Sequence, residues 1–312
     1  MTCIDQADME AEHTEALIAP TISMILPVYN GGRYLRMALD SIFSQSFQDF
    51  ELVAVDDCST DETPLILAEY AARHPRMRVI TNEVNRKLPA SLNVGFRAAR
   101  GQWFTWTSDD NILHPDMLRQ LLAATEEHAE ADIYYADFCV IDDSGRITRR
   151  ETVSTPDDLV FGNVVGCCFL YRREVDRVIG GYDESLFGVE DYDFWLRSAR
   201  HGFRFQPVNQ ELYFYRRHDG SLTNVLSGRV HALAATIMLR EISVLPRSRR
   251  RAMAYINLAS NDPYTLRWNL VWQAFRDDPA SVFRQWRNIA HWLKFSLKVR
   301  IDAMRARRQP GR

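Results

Sequence analysis

The sequence lacks the glycine- and cysteine-built signatures of many nucleotide and metal sites. No GxGxxG follows its first apolar run and no GxxxxGKS/T occurs in its 312 residues, which excludes a glycine-rich cradle for a nucleotide diphosphate. Cysteine is scarce: Cys3, Cys58, Cys139, Cys167 and Cys168 form no CxxC pair. No zinc site is implied, and an odd, scattered set fits free thiols in a reducing cytosol. Long hydrophobic runs are absent too, since none approaches the ~18 residues of a membrane span. Residues 1–20 are polar and acidic, without the basic and apolar regions of a signal peptide, and predict a flexible tail. With a formal net charge of −3 and charged residues at 25%, the overall balance points to neither nucleic acid nor disorder. A soluble or at most peripheral cytoplasmic protein is expected.

What is present is an alternation of two periods. Ile22–Val28 is a short apolar run ending in Tyr29-Asn30-Gly31-Gly32, after which Leu35, Ala38, Leu39, Ile42 and Phe43 recur at helical spacing. Phe50–Val55 is a second strand, followed by a helix marked by Leu65, Leu67, Ala68 and Ala71 that His74-Pro75 stops. Met77–Thr81, a helix over Pro89–Arg100 and a strand over Trp103–Thr107 continue the series. Crossovers of this length suit parallel pairing, so the spacing predicts an open, mostly parallel α/β sheet flanked by helices.

Ligands of such a sheet bind beyond the carboxyl ends of its strands. Those ends carry Pro27-Val28-Tyr29-Asn30, Asp56-Asp57 and Asp109-Asp110. A carboxylate pair at a strand end is costly unless a cation or hydrogen-bond donors meet it. Hard oxygen ligands suit Mg²⁺ or Mn²⁺, which two carboxylates can hold while a substrate's phosphates complete the shell. The alternative is that Ser108, Asp109 or Asp110 merely caps a helix beginning near Pro115.

Further along, His114–Glu130 reads as an amphipathic helix and Ile133–Ile141 as a strand turning at Asp142-Asp143-Ser144-Gly145. Val164–Tyr171 reads as an apolar strand, Glu190–Arg197 as a helix start with acids at its positive end, and Phe203–Val208 and Leu212–Arg216 as closing strands. Trp103, Trp106 and Trp195 read as core and pocket wall rather than as sugar platforms.

Seven signatures now stand in order: PVYN from Pro27, VDDCSTDET from Val55, NRKLPASLNVG from Asn85, SDDN from Ser108, GGYDE from Gly180, ED at Glu190-Asp191 and YRRHDGS from Tyr215. Together they resemble a family 2 glycosyltransferase with the GT-A (nucleotide-diphospho-sugar transferase) fold. The SDDN form with Asp116-Met117-Leu118 is especially similar to the spore-coat polysaccharide transferase type within that family.

The resemblance implies roles. Asp57 would accept a uracil or thymine ring N–H, with Pro27, Val28 and Tyr29 bordering the base and Asn30 also on the donor side. Asp109 would face the ribose, Asp110 and His218 would hold Mn²⁺ or Mg²⁺ on the donor diphosphate, and Asp191 would be the catalytic base. Glu190 and Trp106 would lie on the acceptor side. The family commonly has glycine where Lys87 stands; a lysine there can meet the diphosphate as a point charge or can be a solvated loop cation. Asp56 is expected to bond amides of the Ser59-Thr60 turn. No QxxRW follows Asp191, and the long apolar helices of processive synthases are missing, so one sugar per encounter is expected.

The implied activity is metal-dependent, inverting transfer of a hexosyl or N-acetylhexosaminyl group from a UDP- or dTDP-sugar to a glycan or lipid-linked glycan of cell-surface polysaccharide biosynthesis. A sugar nucleotidyltransferase and a non-catalytic sugar-binding or scaffold protein are the alternatives. The first would normally carry a basic, glycine-rich N-terminal loop, and intact Asp57, Asp110 and Asp191 argue against the second.

The chain divides, on this reading, into the tail, a catalytic domain over 21–222 and a helical region over 223–312. Val225–Val244 and Arg251–Leu258 read as helices, and Tyr264–Phe275 is aromatic-rich with Trp268 and Trp272 at i,i+4 spacing. Phe283–Arg312 carries Arg284, Arg287, Lys294, Lys298, Arg300, Arg305, Arg307, Arg308 and Arg312 against one acid, Asp302. Trp286, Ile289, Leu293, Leu297 and Ile301 form a candidate apolar stripe, and Trp286 and Trp292 candidate interfacial tryptophans. Such a helix suits an anionic membrane surface, or packs on the protein with a basic end.

Overall fold

Seven consecutive residues, Ile22–Val28, form β1 and are buried along their whole length, as a strand covered on both faces must be. In the computed structural model, which describes residues 19–222, 227–260 and 267–307, β1 lies between two parallel partners. Most of the expected tail with Cys3, the side chains of Arg300, Asp302, Arg305 and Arg307, and all of Tyr264, Arg308 and Arg312 lie outside the described residues. After β1 come α1 (Gly32–Phe43), β2 (Phe50–Asp56), α2 (Thr63–Arg73), β3 (Met77–Thr81), α3 (Leu88–Ala98) and β4 (Trp103–Trp106). The four strands pair in parallel in the order β3-β2-β1-β4. Leu35, Leu39 and Ile42 of α1 pack with Met24, Leu26 and Val28 in one core, the outcome their helical spacing predicts.

Past β4 the sheet is mixed rather than parallel. It continues through β5 (Ile112–Leu113), α4 (Met117–Glu127), β6 (Ile133–Ile141), β7 (Ile147–Glu151), β8 (Phe169–Arg172), α5 (Arg173–Ile179), α6 (Glu190–Arg200) and β9 (Phe205–Arg216). β8 runs antiparallel to β4 and β6, β6 is parallel to β9, and β5 and β7 pair antiparallel with β9 and β6. Three sequence expectations are corrected here. The strand expected over Val164–Tyr171 is only Phe169–Arg172, because Gly166 turns the chain at φ +68° against Phe138. The two closing strands are one, β9, whose register against β6 shifts near Ala136–Phe138. The helix expected from His114 starts at Met117, with Asp116 at its cap position.

By internal contacts the chain forms two units: one reaches Pro156 and resumes over Val164–Ser227, the other joins Asp157–Asn163 to Gly228–Arg312. The second unit is helical: α7 (Ser227–Val244), α8 (Arg249–Ser260), α9 (Trp268–Asp277), α10 (Pro279–Arg284) and α11 (Trp286–Arg307). Asp277, almost fully buried, pairs with Arg251 at 3.0 Å and Arg247 at 3.7 Å. No helix among the described residues is long and apolar enough to cross a membrane.

One charge sits inside the sheet of the first unit. Glu51 on β2 is 2% exposed and accepts from Ser23 Oγ (2.7 Å), the Arg100 amide (2.7 Å), Arg78 (2.8 Å) and Arg100 Nε (3.1 Å). Burial alone would raise its pKa, but these donors outweigh burial and hold it below the ordinary value of 4.5. The ionised form is therefore favoured by folding, so its contribution is present above pH 4.5 and is lost as pH falls through the depressed native value. Glu51→Ala, which takes the acceptor from the buried Ser23 hydroxyl and the Arg100 amide while the two arginines stay solvated, should lower stability by about 1–3 kcal/mol at pH 7 in urea denaturation. The difference from wild type should shrink below pH 4.5, and a penalty under about 1 kcal/mol at pH 7 would refute this account.

Candidate active site

The loops at the carboxyl ends of β1 and β2 are knotted to each other by short polar side chains, and the loop after β4 passes close to the first. Asn30 takes a left-handed conformation (φ +53°), which asparagine tolerates; its amide donates to Ser59 Oγ (2.9 Å) and its Oδ1 accepts from the Thr60 amide (2.8 Å). Gly31 and Gly32 donate to Thr63 Oγ1 and Asp61 Oδ2, each at 3.0 Å. A Cβ on Gly31 would stand 1.7 Å from Asp109 Oδ2, so only glycine lets β1's loop pass this close to the carboxylate of β4's loop. Asp56 accepts from the Ser59 amide at 3.0 Å, its expected turn role.

Asp57 is buried and organises the third loop. Its Oδ1 accepts from Asn82 Nδ2 and the Arg86 amide and its Oδ2 from the Lys87 amide, each at 2.8 Å. Three donors leave a carboxylate about one further acceptor position. The pull on the Lys87 amide helps hold Lys87 at φ +72°, ψ 163°, a region that strongly favours glycine. Asn30, Cys58 and Lys87 are the non-glycine residues of positive φ among those described, and all lie on these loops.

Together the loops bound a cavity of about 670 Å³. Its lining includes nine of the expected site residues: Pro27, Val28, Tyr29, Asn30, Asp57, Lys87, Asp109, Asp110 and His218. The helix-cap reading of Asp109 and Asp110 fails, because β5 intervenes and α4 starts only at Met117. Burial, then the neighbouring Asp110, pushes the Asp109 carboxyl up to about 7. Burial also raises Asp110, while a 3.1 Å contact from His218 Nε2 to its Oδ2 pulls the other way. His218 is itself held by its amide on Ser221 Oγ (3.0 Å) and by the Tyr34 ring, 5.2 Å centroid to centroid.

Arg216, a residue the sequence reading did not single out, lies fully buried beneath this pair. Its Nε donates to the Asp110 carbonyl (2.8 Å), its Nη1 to the carbonyls of Asp142 (2.9 Å) and Asp143 (3.0 Å), and its guanidinium sits 4.6 Å from the centre of the Tyr34 ring. Its amide donates to Asn111 Oδ1 at 2.8 Å, which fixes the residue after the aspartate pair. Tyr34, also not anticipated, donates to Asp143 Oδ1 at 2.6 Å and lines the cavity with Arg33, Ser108 and Phe187. The signal for Arg216 was its place beside His218 in the YRRHDGS stretch; Tyr34 gave none beyond helical spacing from Tyr29's loop.

The remaining expected residues stand outside the cavity lining. Val189 holds the cap position of α6, so Asp191 is its second residue and not its cap. Asp191 is partly buried and its Oδ1 accepts from the Tyr192 amide at 2.7 Å. Glu190 is buried with Oε2 on the Gly188 amide (2.6 Å), and burial, then the Asp191 charge, pushes its carboxyl well above the usual range. Trp106 is partly buried and donates Nε1 to Tyr182 Oη at 3.0 Å; Trp103 and Trp195 are core. Burial, then the neighbouring Cys168, pushes the Cys167 thiol well above its ordinary value. Cys58, Cys139, Cys167 and Cys168 are free.

One carboxylate and one imidazole on the lining of one cavity suit a hard divalent cation, which would favour the ionised form of the raised Asp110 carboxyl. Asp110 and His218 thus fit the ion as a partial ligand set, and among the described residues no group of three or more metal-ligating side chains stands together.

Comparison with known proteins agrees with this geometry. The pattern of Glycosyl transferase family 2 matches residues 23–180, half of the chain. EpsE of Bacillus subtilis, a protein named for a glycosyltransferase, is 32% identical over 203 residues, covering 63% of this chain and 73% of its own. The protein y4gI of Sinorhizobium fredii is 32% identical over 210 residues, covering 65% of this chain but only 23% of its own length. Two solved structures share the fold at TM-score 0.61: residues 1–349 of S. aureus TarS with UDP-GlcNAc (21% identity, 77% of this chain and 70% of that one), and the mannosyltransferase PcManGT of Pyrobaculum calidifontis with GDP-Man and Mn²⁺ (18% identity, 89% and 86%). With its family pattern over half its length and the GT-A sheet beneath its site, the chain belongs to glycosyl transferase family 2.

Proposed function

We propose that the protein transfers one hexosyl or N-acetylhexosaminyl group, with inversion, from a UDP- or dTDP-sugar to a hydroxyl of a glycan or lipid-linked glycan in cell-surface polysaccharide biosynthesis, in the cytoplasm and with Mn²⁺ or Mg²⁺. The observation that carries the reading is the cavity that gathers Asp57 at one strand end and Asp109, Asp110 and His218 at others, because a base and a diphosphate need such separate partners in one groove. The remaining acceptor position of Asp57 suits a pyrimidine ring N–H, with Pro27, Val28, Tyr29 and Asn30 as the walls of the base site. Asp109 is assigned to the ribose. A cation on Asp110 and His218 would supply Lewis-acid stabilisation of the leaving diphosphate. Lys87, on the same cavity, adds a fixed positive charge for it.

In the transfer itself Asp191 accepts the proton of the acceptor hydroxyl as its oxygen bonds to the sugar C1 from the face opposite the nucleotide. The C1–O bond to the diphosphate breaks with its electron pair, and the nucleoside diphosphate leaves. Glu190 supports this from behind. Held neutral by burial, it leaves the negative charge of the pair on Asp191, where a base is required. Trp106, through Tyr182, is assigned to the acceptor side.

Three outcomes test these roles. Asp110→Ala should abolish Mn²⁺-dependent binding of UDP, read by calorimetry; wild-type affinity for UDP and dTDP that is equal in EDTA and in Mn²⁺ refutes the metal assignment. Asp191→Asn keeps the side chain's shape without a base, so donor affinity should persist while transfer falls by roughly 10²–10⁴-fold. A near wild-type rate would place the base elsewhere.

Lys87 separates strain from charge. Lys87→Gly should raise unfolding free energy by about 1 kcal/mol through relief of the backbone, while weakening UDP binding about tenfold. Lys87→Ala should weaken binding as much without the gain in stability. Unchanged UDP affinity in both variants would show the ammonium to be a solvated loop charge.

A further inference from the structure

The second unit carries an aromatic surface that the transfer chemistry leaves unused. Leu270 and Ala274 point one side of α9 into the core, and Trp268 (51% exposed) and Trp272 (61%), one turn apart, stand on the other side. The Trp272 ring stacks on Phe275 at 5.7 Å, and Phe275 meets Phe283 of α10 edge-on at 6.2 Å. Phe283 is 67% exposed and Trp286, three residues on, 58%. Trp272, Phe275 and Phe283 therefore form a continuous run of rings across α9 and α10, with Trp268 one turn before it and Trp286 three residues after it in sequence.

This changes the stripe expected for α11 alone. Ile289 and Trp292 are buried, Trp292 edge-on against Trp268 at 6.0 Å, while Trp286, Leu297 and Ile301 are exposed. Trp292 is thus a packing residue, and it fixes α9's aromatic face in place. The outward aromatics come from three helices, not from one.

The charge around them has one sign. Arg276, Arg284, Arg287, Lys294 and Lys298 are exposed on these helices, and Arg287 lies 5.6 Å from the Trp286 ring centre. The described acids of the same segment are engaged: Asp277 is buried against Arg247 and Arg251, and Asp278 accepts from Ser281 Oγ at 2.6 Å beside Arg284. Exposed tryptophan and phenylalanine ringed by arginine and lysine match the two layers of a lipid headgroup region, apolar acyl boundary and anionic phosphate. A second copy of this chain would bring the same cations against themselves.

We infer that the surface made by Trp268, Trp272, Phe283 and Trp286 docks the protein peripherally on an anionic lipid bilayer. The docking is independent of the transfer assignments, so its failure leaves them standing. It would present the enzyme to acceptors held at a membrane.

The test uses the full chain and vesicles of phosphatidylcholine with and without phosphatidylglycerol, by co-sedimentation at about 0.05 M and about 0.5 M salt. Wild type should pellet with anionic vesicles at low salt, much less at high salt, and weakly with neutral ones. Trp272→Ala with Phe283→Ala should cut the partition coefficient at least tenfold, and Arg284→Gln with Arg287→Gln on the order of 30-fold, at roughly fivefold per charge. All four substitutions are at exposed positions, and unchanged melting curves verify the fold. Equal pelleting of wild type and both double variants, or binding indifferent to lipid charge, overturns the inference. So does a wild-type dimer in sedimentation velocity that the Trp272/Phe283 variant dissociates.

Discussion

The structure of the site depends on the partial withdrawal of two adjacent carboxylates from water. Asp109 and Asp110 end a buried strand, and each is pushed toward protonation by that position. The fold does not relieve this by moving them apart. It surrounds them: the Arg216 guanidinium lies beneath the Asp110 carbonyl, His218 sits on the Asp110 carboxylate, and the loop of Gly31 passes so near Asp109 that no side chain fits. What remains open is the cavity side, where a cation carrying an anionic diphosphate would complete the balance. A site that keeps its own charges only partly compensated gains most when the missing charge arrives with substrate.

The same constraint explains where backbone strain is stored. Asn30, Cys58 and Lys87 adopt positive φ on loops whose amides are pulled toward side-chain oxygens of Ser59, Asp56 and Asp57 or their neighbours. Such conformations cost of order 1–3 kcal/mol each and persist only when surrounding bonds over-determine them. At Lys87 the cost is avoidable by glycine, and we propose that the ammonium lining the cavity offsets it by meeting the donor diphosphate.

Much of this was legible in the sequence because it rests on local rules. The 3.6-residue spacing of Leu35, Leu39 and Ile42, the apolar run of β1 and the turn residues Asn30 and Gly31 follow from short-range chemistry, and they put Asp57, Asp109 and Asp110 at strand ends. The mixed half of the sheet was not legible, since β8, β6 and β9 pair across long sequence separations and nothing in their composition fixes partner or direction. Arg216 was hidden for a related reason. An arginine reads as a surface cation, and only the convergence of three carbonyls from two loops and the Tyr34 ring makes full burial tolerable. The α11 stripe misled because period alone cannot say which side of a helix its neighbours cover; Trp268 covers Trp292 and leaves Trp286 outside.

The division between Glu190 and Asp191 follows from the helix that carries them. Both occupy the first turn of α6, where the helix dipole favours negative charge, yet two charges in adjacent buried positions cannot both be held there. Glu190 is turned into the protein onto the Gly188 amide, and burial decides that it keeps its proton. Asp191, one residue on and rotated by about 100° around the axis, remains partly exposed, and we assign it the charge of the pair. The dipole, which would depress the pKa of either residue, is thereby spent on one.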